Sequence, residues 1–194
     1  MKILVAVPTF ENIQPEVFKA IYNLDPCGHD VHFDYVRGHD CAIARNEIGK
    51  LTIADHYDYV LMVDSDTMIP TDTLRLMLDP PVDICLGVCP RKNTKDGKSA
   101  MIKLDSDGYY CSYYYNELPK ERTMVKGGGF ACALVKASVF NHLDYPWFQY
   151  VTNSDWSTFG EDFYFCQNAR AWGLDVWMDP RVKCGHLARY YQFE

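Results

Sequence analysis

The sequence predicts a single mixed α/β domain, and three observations carry that prediction. Apolar β-branched runs alternate with helix-period segments up to about residue 90, and the texture then changes to hairpins and glycine-rich turns. The chain has 194 residues, 48% of them hydrophobic, which is enough to bury one substantial core.

Each element follows from its residues. Lys2 to Val7 is a short β-branched run closed by Pro8, suited to a buried strand that opens into a loop at its carboxyl end. Pro15 to Leu24 places Val17, Ala20, Ile21 and Leu24 at helical spacing, with proline where its missing N–H costs nothing. Val31 to Val36 is a second strand. Asp40 is placed to cap a helix over Cys41 to Ala54, whose apolar residues recur every three or four positions. Tyr59 to Val63 is a continuous apolar strand ending on Asp64-Ser65-Asp66. Thr71 or Asp72 then caps a helix through Leu78, and Val82 to Val88 completes a β-α-β-α-β-α-β order.

In the second half, Asp107-Gly108 lies between Met101 to Leu104 and Tyr109 to Tyr115, which predicts a hairpin. Phe130 to Val135 reads as a strand beyond Gly127-Gly128-Gly129. Phe163, Cys166, Ala169 and Arg170, followed by Gly173, predict a helix from Gly160 to Trp172, and Val176 to Met178 a final strand. Residues 1–90 are thus expected to form a Rossmann-like half, and residues 91–194 a mixed half with a small antiparallel extension, without a linker between them.

Composition narrows the function. Lys plus Arg is 19 and Asp plus Glu is 26, a net charge of −7 that works against nucleic acid and anionic lipid. Ile3 to Val7 is far short of the roughly 18 apolar residues of a membrane span and lacks the length of a signal-peptide core. The eight cysteines are scattered through mostly apolar runs without a C-x-x-C pair, and they fit free thiols in a reducing compartment. Cys85 and Cys89 lack the second pair that a zinc site needs. The expected location is cytoplasmic.

Asp64 and Asp66 are two residues apart at a strand end, so in extended backbone both carboxylates point into the crevice there. Two convergent carboxylates suit Mg²⁺ or Mn²⁺, although an Asp-Ser-Asp turn that merely caps the next segment has the same sequence. Val60-Leu61-Met62-Val63-Asp64-Ser65-Asp66-Thr67 also resembles the first motif of haloacid dehalogenase-type phosphatases, in which the first Asp is a nucleophile and the second a general acid. That motif normally lies on the first strand, whereas here it lies on the third, and no later segment supplies the rest of the set.

The company of the triplet points elsewhere. Val5-Ala6-Val7-Pro8-Thr9, Ala44-Arg45-Asn46, Asp64-Ser65-Asp66, Gly128-Gly129-Phe130, Gly160-Glu161-Asp162 and Cys184-Gly185-His186 occur in that order. The set resembles the GT-A glycosyltransferases, the family-two-like branch in particular, over nearly the whole chain.

The resemblance implies a GT-A fold with the donor nucleotide on residues 1–90 and the acceptor on residues 91–194. It further implies donor binding by Pro8, Thr9, Arg45, Asp64, Ser65 and Asp66, and a Mn²⁺ or Mg²⁺ ion held by Asp64, Asp66 and His186. Asp162, or else Glu161, becomes the general base, and Gly128, Gly129 and Trp156 lie on the acceptor side. The expected substrates are a UDP- or GDP-sugar and an acceptor hydroxyl or glycan, with inversion at the anomeric carbon. Many relatives carry extra acceptor or membrane segments, and without them a lipid-linked acceptor is not expected. A phosphatase using Asp64 and Asp66, and a sugar-nucleotide or glycan binding module without turnover, remain the alternatives at this point.

Overall fold

The structure, a computed structural model, describes residues 1–91, 96–154 and 158–187. Its first half runs β1 (Lys2–Thr9), α1 (Pro15–Tyr22), β2 (Asp30–Arg37), α2 (Cys41–Ala54), β3 (Tyr59–Val63), β4 (Thr67–Met68), α3 (Thr73–Met77) and β5 (Ile84–Val88). The second half continues with β6 (Lys98–Leu104), β7 (Tyr110–Tyr114), β8 (Thr123–Met124), β9 (Gly127–Gly128), β10 (Cys132–Lys136) and α4 (Ala137–His142). It ends with β11 (Val151–Thr152), β12 (Thr158–Phe159), α5 (Glu161–Ala171), β13 (Val176–Lys183) and β14 (Gly185–His186).

Seven strands make the central sheet, in the order β2-β1-β3-β10-β5-β13-β8. β2, β1 and β3 are parallel, β10 is antiparallel to both β3 and β5, and β13 is parallel to β5. The two sequence halves therefore interleave, because β10 and β13 from the second half complete the sheet begun by the first. Cys132 to Val135 is apolar at every position and buried throughout, so β10 needs cover on both faces and finds it at the sheet centre.

Strand alternation divides the core into two layers. Leu4, Ala6, Val60, Met62, Leu86 and Ala133 pack against α2, α4 and α5 through Ile48, Phe140 and Phe165. Ile3, Val5, Leu61, Val63, Cys85 and Leu134 pack against α1 and α3 through Val17, Ile21, Leu74 and Met77. All eight cysteines are free thiols, and Cys85, Cys89, Cys132, Cys166 and Cys184 are buried.

The helix over Cys41–Ala54 stands where its periodicity places it, and the Asp40 side chain accepts from Ile43 N–H at 3.0 Å as its cap. Asn46, buried on this helix, accepts from the amides of Trp147 and Phe148 and donates to the Phe148 carbonyl, which ties α2 to the segment leading to α5. Other bounds differ. β10 starts at Cys132 rather than Phe130, whose ring instead joins Phe148 and Phe165. β13 continues beyond Met178 through Pro180, which is tolerated because the register with β5 shifts between Asp179 and Lys183. α4 and the two-residue strands β4 and β14 are too short to show a period in the sequence. Among the described residues, no helix is long and apolar enough to cross a membrane.

Candidate active site

The site forms where β1 and β3 end side by side, at the carboxyl edge of the sheet. Asp64 N–H donates to the Ala131 carbonyl at 3.0 Å, and Thr67 N–H donates back to the Asp64 carbonyl at 3.0 Å, so Asp64-Ser65-Asp66-Thr67 closes into a tight turn. The Ser65 carbonyl accepts from Gln14 N–H, which anchors the turn to the start of α1. Beyond it, β4 pairs with β14, setting Thr67 opposite His186 and Gly185 opposite Met68. A Cβ on Gly185 would stand 2.7 Å from Met68 Cε, so glycine permits this close pairing.

The pairing brings His186 to Asp66, with Nε2 3.2 Å from Oδ1. The other ring nitrogen, Nδ1, lies 3.0 Å from the Pro90 carbonyl. A carbonyl only accepts, so Nδ1 carries a proton, and Nε2 faces the carboxylate with either a second proton or a lone pair. A lone pair against a carboxylate is stable only with a cation between them, which makes this pair chemically suited to a divalent ion. Among the described residues, no three His, Cys, Asp or Glu side chains already converge to hold a metal.

Asp64 faces another partner. Arg45, only 2% exposed on α2, donates through Nη2 to Asp64 Oδ1 at 2.8 Å and through Nη1 to Glu161 Oε1. Burial opposes the guanidinium charge, but Asp64, Glu161 and Asp162 outweigh it and raise its pKa. Its Nε is buried with no hydrogen-bond partner. Arg45 thus lies beneath the carboxylates and joins the β3 turn to the start of α5.

Glu161 and Asp162 open α5, where the helix dipole favours acids. Burial raises both carboxyl pKa values above their ordinary range, against the opposing pull of Arg45. Asp162 Oδ1 accepts from Phe163 N–H at 2.7 Å. Gly129 N–H donates to the Ala100 carbonyl, and the Gly127–Gly128 strand pairs with β6. A Cβ on Gly127 would meet the Phe163 ring at 2.9 Å, one on Gly128 would meet Met101 Sδ at 2.7 Å, and one on Gly129 would lie 3.6 Å from Asp162 Oδ2. The glycine run therefore lets α5 and β6 approach closely, with Gly129 beside Asp162.

The remaining expected positions scatter around this centre. Pro8 and Thr9 end β1 and are buried, and the Thr9 hydroxyl donates to the Asn12 carbonyl at 2.9 Å. Trp156 lies outside the described residues. Sequence reasoning missed Tyr150, whose hydroxyl is shifted upward first by burial and then by Glu161. It also missed an aromatic wall of Tyr110, Phe159 and Phe163, which borders a cavity of about 530 Å³ reaching Gly128, Gly129 and Asp162. Tyr110 and Ser112, alternate residues of β7, border the cavity.

No protein-family model matches the chain, and no curated protein matches it. Solved structures do. A197 from STIV superposes with a TM-score of 0.67 at 14% identity, over 97% of this chain and 87% of that one. GalNAc-T7, crystallised with UDP, GalNAc and Mn²⁺, gives 0.66 at 12% identity over 97% of this chain, which spans only 44% of GalNAc-T7. S. aureus TarS 1-349 gives 0.51 at 14% identity over 98% of this chain and 60% of that one. The fold is of the GT-A type, with a mixed seven-stranded sheet.

Proposed function

We propose that this chain is a glycosyltransferase that moves a sugar from a UDP- or GDP-sugar to an acceptor hydroxyl. The observation that carries the reading is the meeting, at the carboxyl ends of β1 and β3, of the Asp64–Asp66 turn, His186 and the Arg45-linked pair Glu161 and Asp162. The GT-A-type fold supports it, as does the Mn²⁺ and UDP bound in GalNAc-T7. Asp66 and His186 are the residues that would hold Mn²⁺ or Mg²⁺, with Asp64 contributing from the donor side. When bound, the ion supplies positive charge against the diphosphate leaving group.

Pro8 and Thr9 shape the floor beneath the nucleotide, and the Asp64-Ser65-Asp66 turn borders its diphosphate. Arg45 acts from beneath by fixing Asp64 and Glu161, a positioning role. Asp162 is the general base. It takes the proton from the acceptor hydroxyl as that oxygen bonds to the anomeric carbon, while the bond from that carbon to the diphosphate oxygen breaks and its electrons leave with the nucleotide. Burial suits Asp162 to this task, since a raised pKa makes the carboxylate a stronger base. Direct attack of this kind inverts the anomeric carbon. Gly128 and Gly129 border the acceptor side, and the free thiols fit a reducing, cytoplasmic setting.

The phosphatase alternative needs Asp64 as an open nucleophile, whereas Arg45 holds that carboxylate in an ion pair. The binding-module alternative predicts sugar-nucleotide binding with no donor hydrolysis, even with Mn²⁺ present. Calorimetric titration with UDP and GDP, with and without Mn²⁺, tests the proposal. Binding should require the metal and weaken strongly in Asp66→Ala and His186→Ala. Nucleotide binding that is indifferent to Mn²⁺ and to both substitutions would sink it.

A further inference from the structure

The cavity beside Asp162 lies between the β6–β7 hairpin and the amino end of α5. Phe163 is its centre. Phe159 stacks on Phe163 with centroids 5.5 Å apart and planes 18° apart, and Tyr110 meets Phe163 edge to face at 5.2 Å and 84°. Tyr110 is 50% exposed and Phe159 half-buried, so these rings present surface to the cavity instead of spending it in the core. Polar residues line the cavity as well, namely Arg91, Ser112, Thr158 and Asp162.

We propose that this cavity binds the acceptor, and that the acceptor is a small saccharide whose apolar ring face lies on the Tyr110–Phe159 wall. The assignment rests on the transferase reading above and extends it to the substrate class. A pyranose has one face of C–H groups and a rim of hydroxyls that both donate and accept, which matches a cavity lined by aromatic rings together with hydroxyls, a guanidinium and a carboxylate. A volume of about 530 Å³ falls within the usual range for small-ligand sites and has room for a mono- or disaccharide.

Access to the base points the same way. A Cβ on Gly160 would stand 2.7 Å from Asp162 Oδ1, and one on Gly129 would stand 3.6 Å from Oδ2. Glycine at position 160 leaves the room that a Cβ would take from the carboxylate, and Asp162 lines the cavity, so a hydroxyl on a ring seated there can reach it. An alkyl acceptor would offer no hydrogen bond to Asp162, Ser112 or Thr158, at a cost in affinity.

Ligand-observed NMR with methyl hexosides, methyl disaccharides, 4-methoxyphenol and octanol, each in the presence of UDP and Mn²⁺, tests this assignment. Methyl glycosides should bind, with magnetisation transferred mainly to their carbon-bound ring protons. Tyr110→Ala and Phe159→Ala should each weaken that binding roughly tenfold, and Phe159→Trp should retain it. Calorimetry with UDP on the same variants should return the affinity of the unsubstituted protein. Binding of the phenol or octanol in place of every glycoside overturns the proposal, as does glycoside binding indifferent to both alanine variants. Glycoside binding that is lost in those variants, in a protein that binds no nucleotide, upholds the saccharide site and removes the transferase.

Discussion

Arg45 is a buried cation serving three acids, and such a residue is held by its partners as much as it holds them. Replacing it with methionine leaves Asp64 and Glu161 without their ion-pair partner and Asp162 without the nearby charge. Arg45→Met should therefore cost about 3–5 kcal/mol in urea unfolding, the usual price of breaking a buried pair from one side. Asp162 behaves in the opposite way. Burial raises its pKa, so the fold disfavours its ionised form, and the stability associated with the protonated form is lost as pH rises through the folded value. Asp162→Asn should thus raise stability by up to about 1 kcal/mol while cutting transfer ~10²-fold or more and sparing UDP binding. The base must be ionised to act, so transfer by the unsubstituted protein should fall as pH is lowered through that raised range. A flat rate profile, or full transfer in the asparagine variant, moves the role to another residue. The meeting of Asp66 with His186 matches the order of motifs along the chain. The engagement of Asp64 by Arg45 was not legible, because it depends on how α2 is rotated against the end of β3, and no periodicity reports that rotation.

At the level of elements, the glycine run shows how one sequence signal carries two physical meanings. In the sequence Gly127-Gly128-Gly129 precedes a strand, and the resemblance places Gly128 and Gly129 on the acceptor side. In the fold the run is a strand end wedged between β6 and α5, with Phe163 and Cys166 against Gly127. Gly127→Ala would force the Phe163 ring or the helix to move, which typically costs about 1–3 kcal/mol. That shift should also lower transfer more than UDP binding, since α5 carries Asp162, and parallel denaturation and kinetic measurements on the variant check both effects. Helix α2 was legible end to end because Asp40 and a long apolar period mark it. β4, β14 and α4 were not, since two to six residues cannot display a repeat.

Across the whole molecule, the alternating order of the first half announces parallel strands, but the insertion of β10 between β3 and β5 depends on pairing across roughly fifty residues to β5 and seventy or more to β3. What fastens the later strands to the earlier half is a buried charge cluster away from the site. Asp179 on β13 is wholly buried and accepts from Arg181 Nε at 2.9 Å and Nη2 at 2.6 Å, and from Arg122 Nε at 3.2 Å. Arg122 also donates to the carbonyl of Leu76, in α3, and to that of Pro80, in the connection between α3 and β5. Burial alone would raise the Asp179 pKa, but the two arginines prevail and lower it. A depressed folded pKa contributes stability above the ordinary carboxylate range, and that contribution is lost as pH falls through the folded value. Asp179→Asn should therefore destabilise the protein by about 3–5 kcal/mol near neutral pH, because Arg122 is left buried without its charge partner. The gap between the two proteins should narrow as pH is lowered below the ordinary carboxylate range, where the native carboxylate begins to take up a proton. Urea midpoints at neutral and lowered pH measure that narrowing. A gap that stays constant would mean the cluster acts through packing and the carbonyl bonds of Arg122, with the carboxylate charge contributing nothing to the attachment of β13.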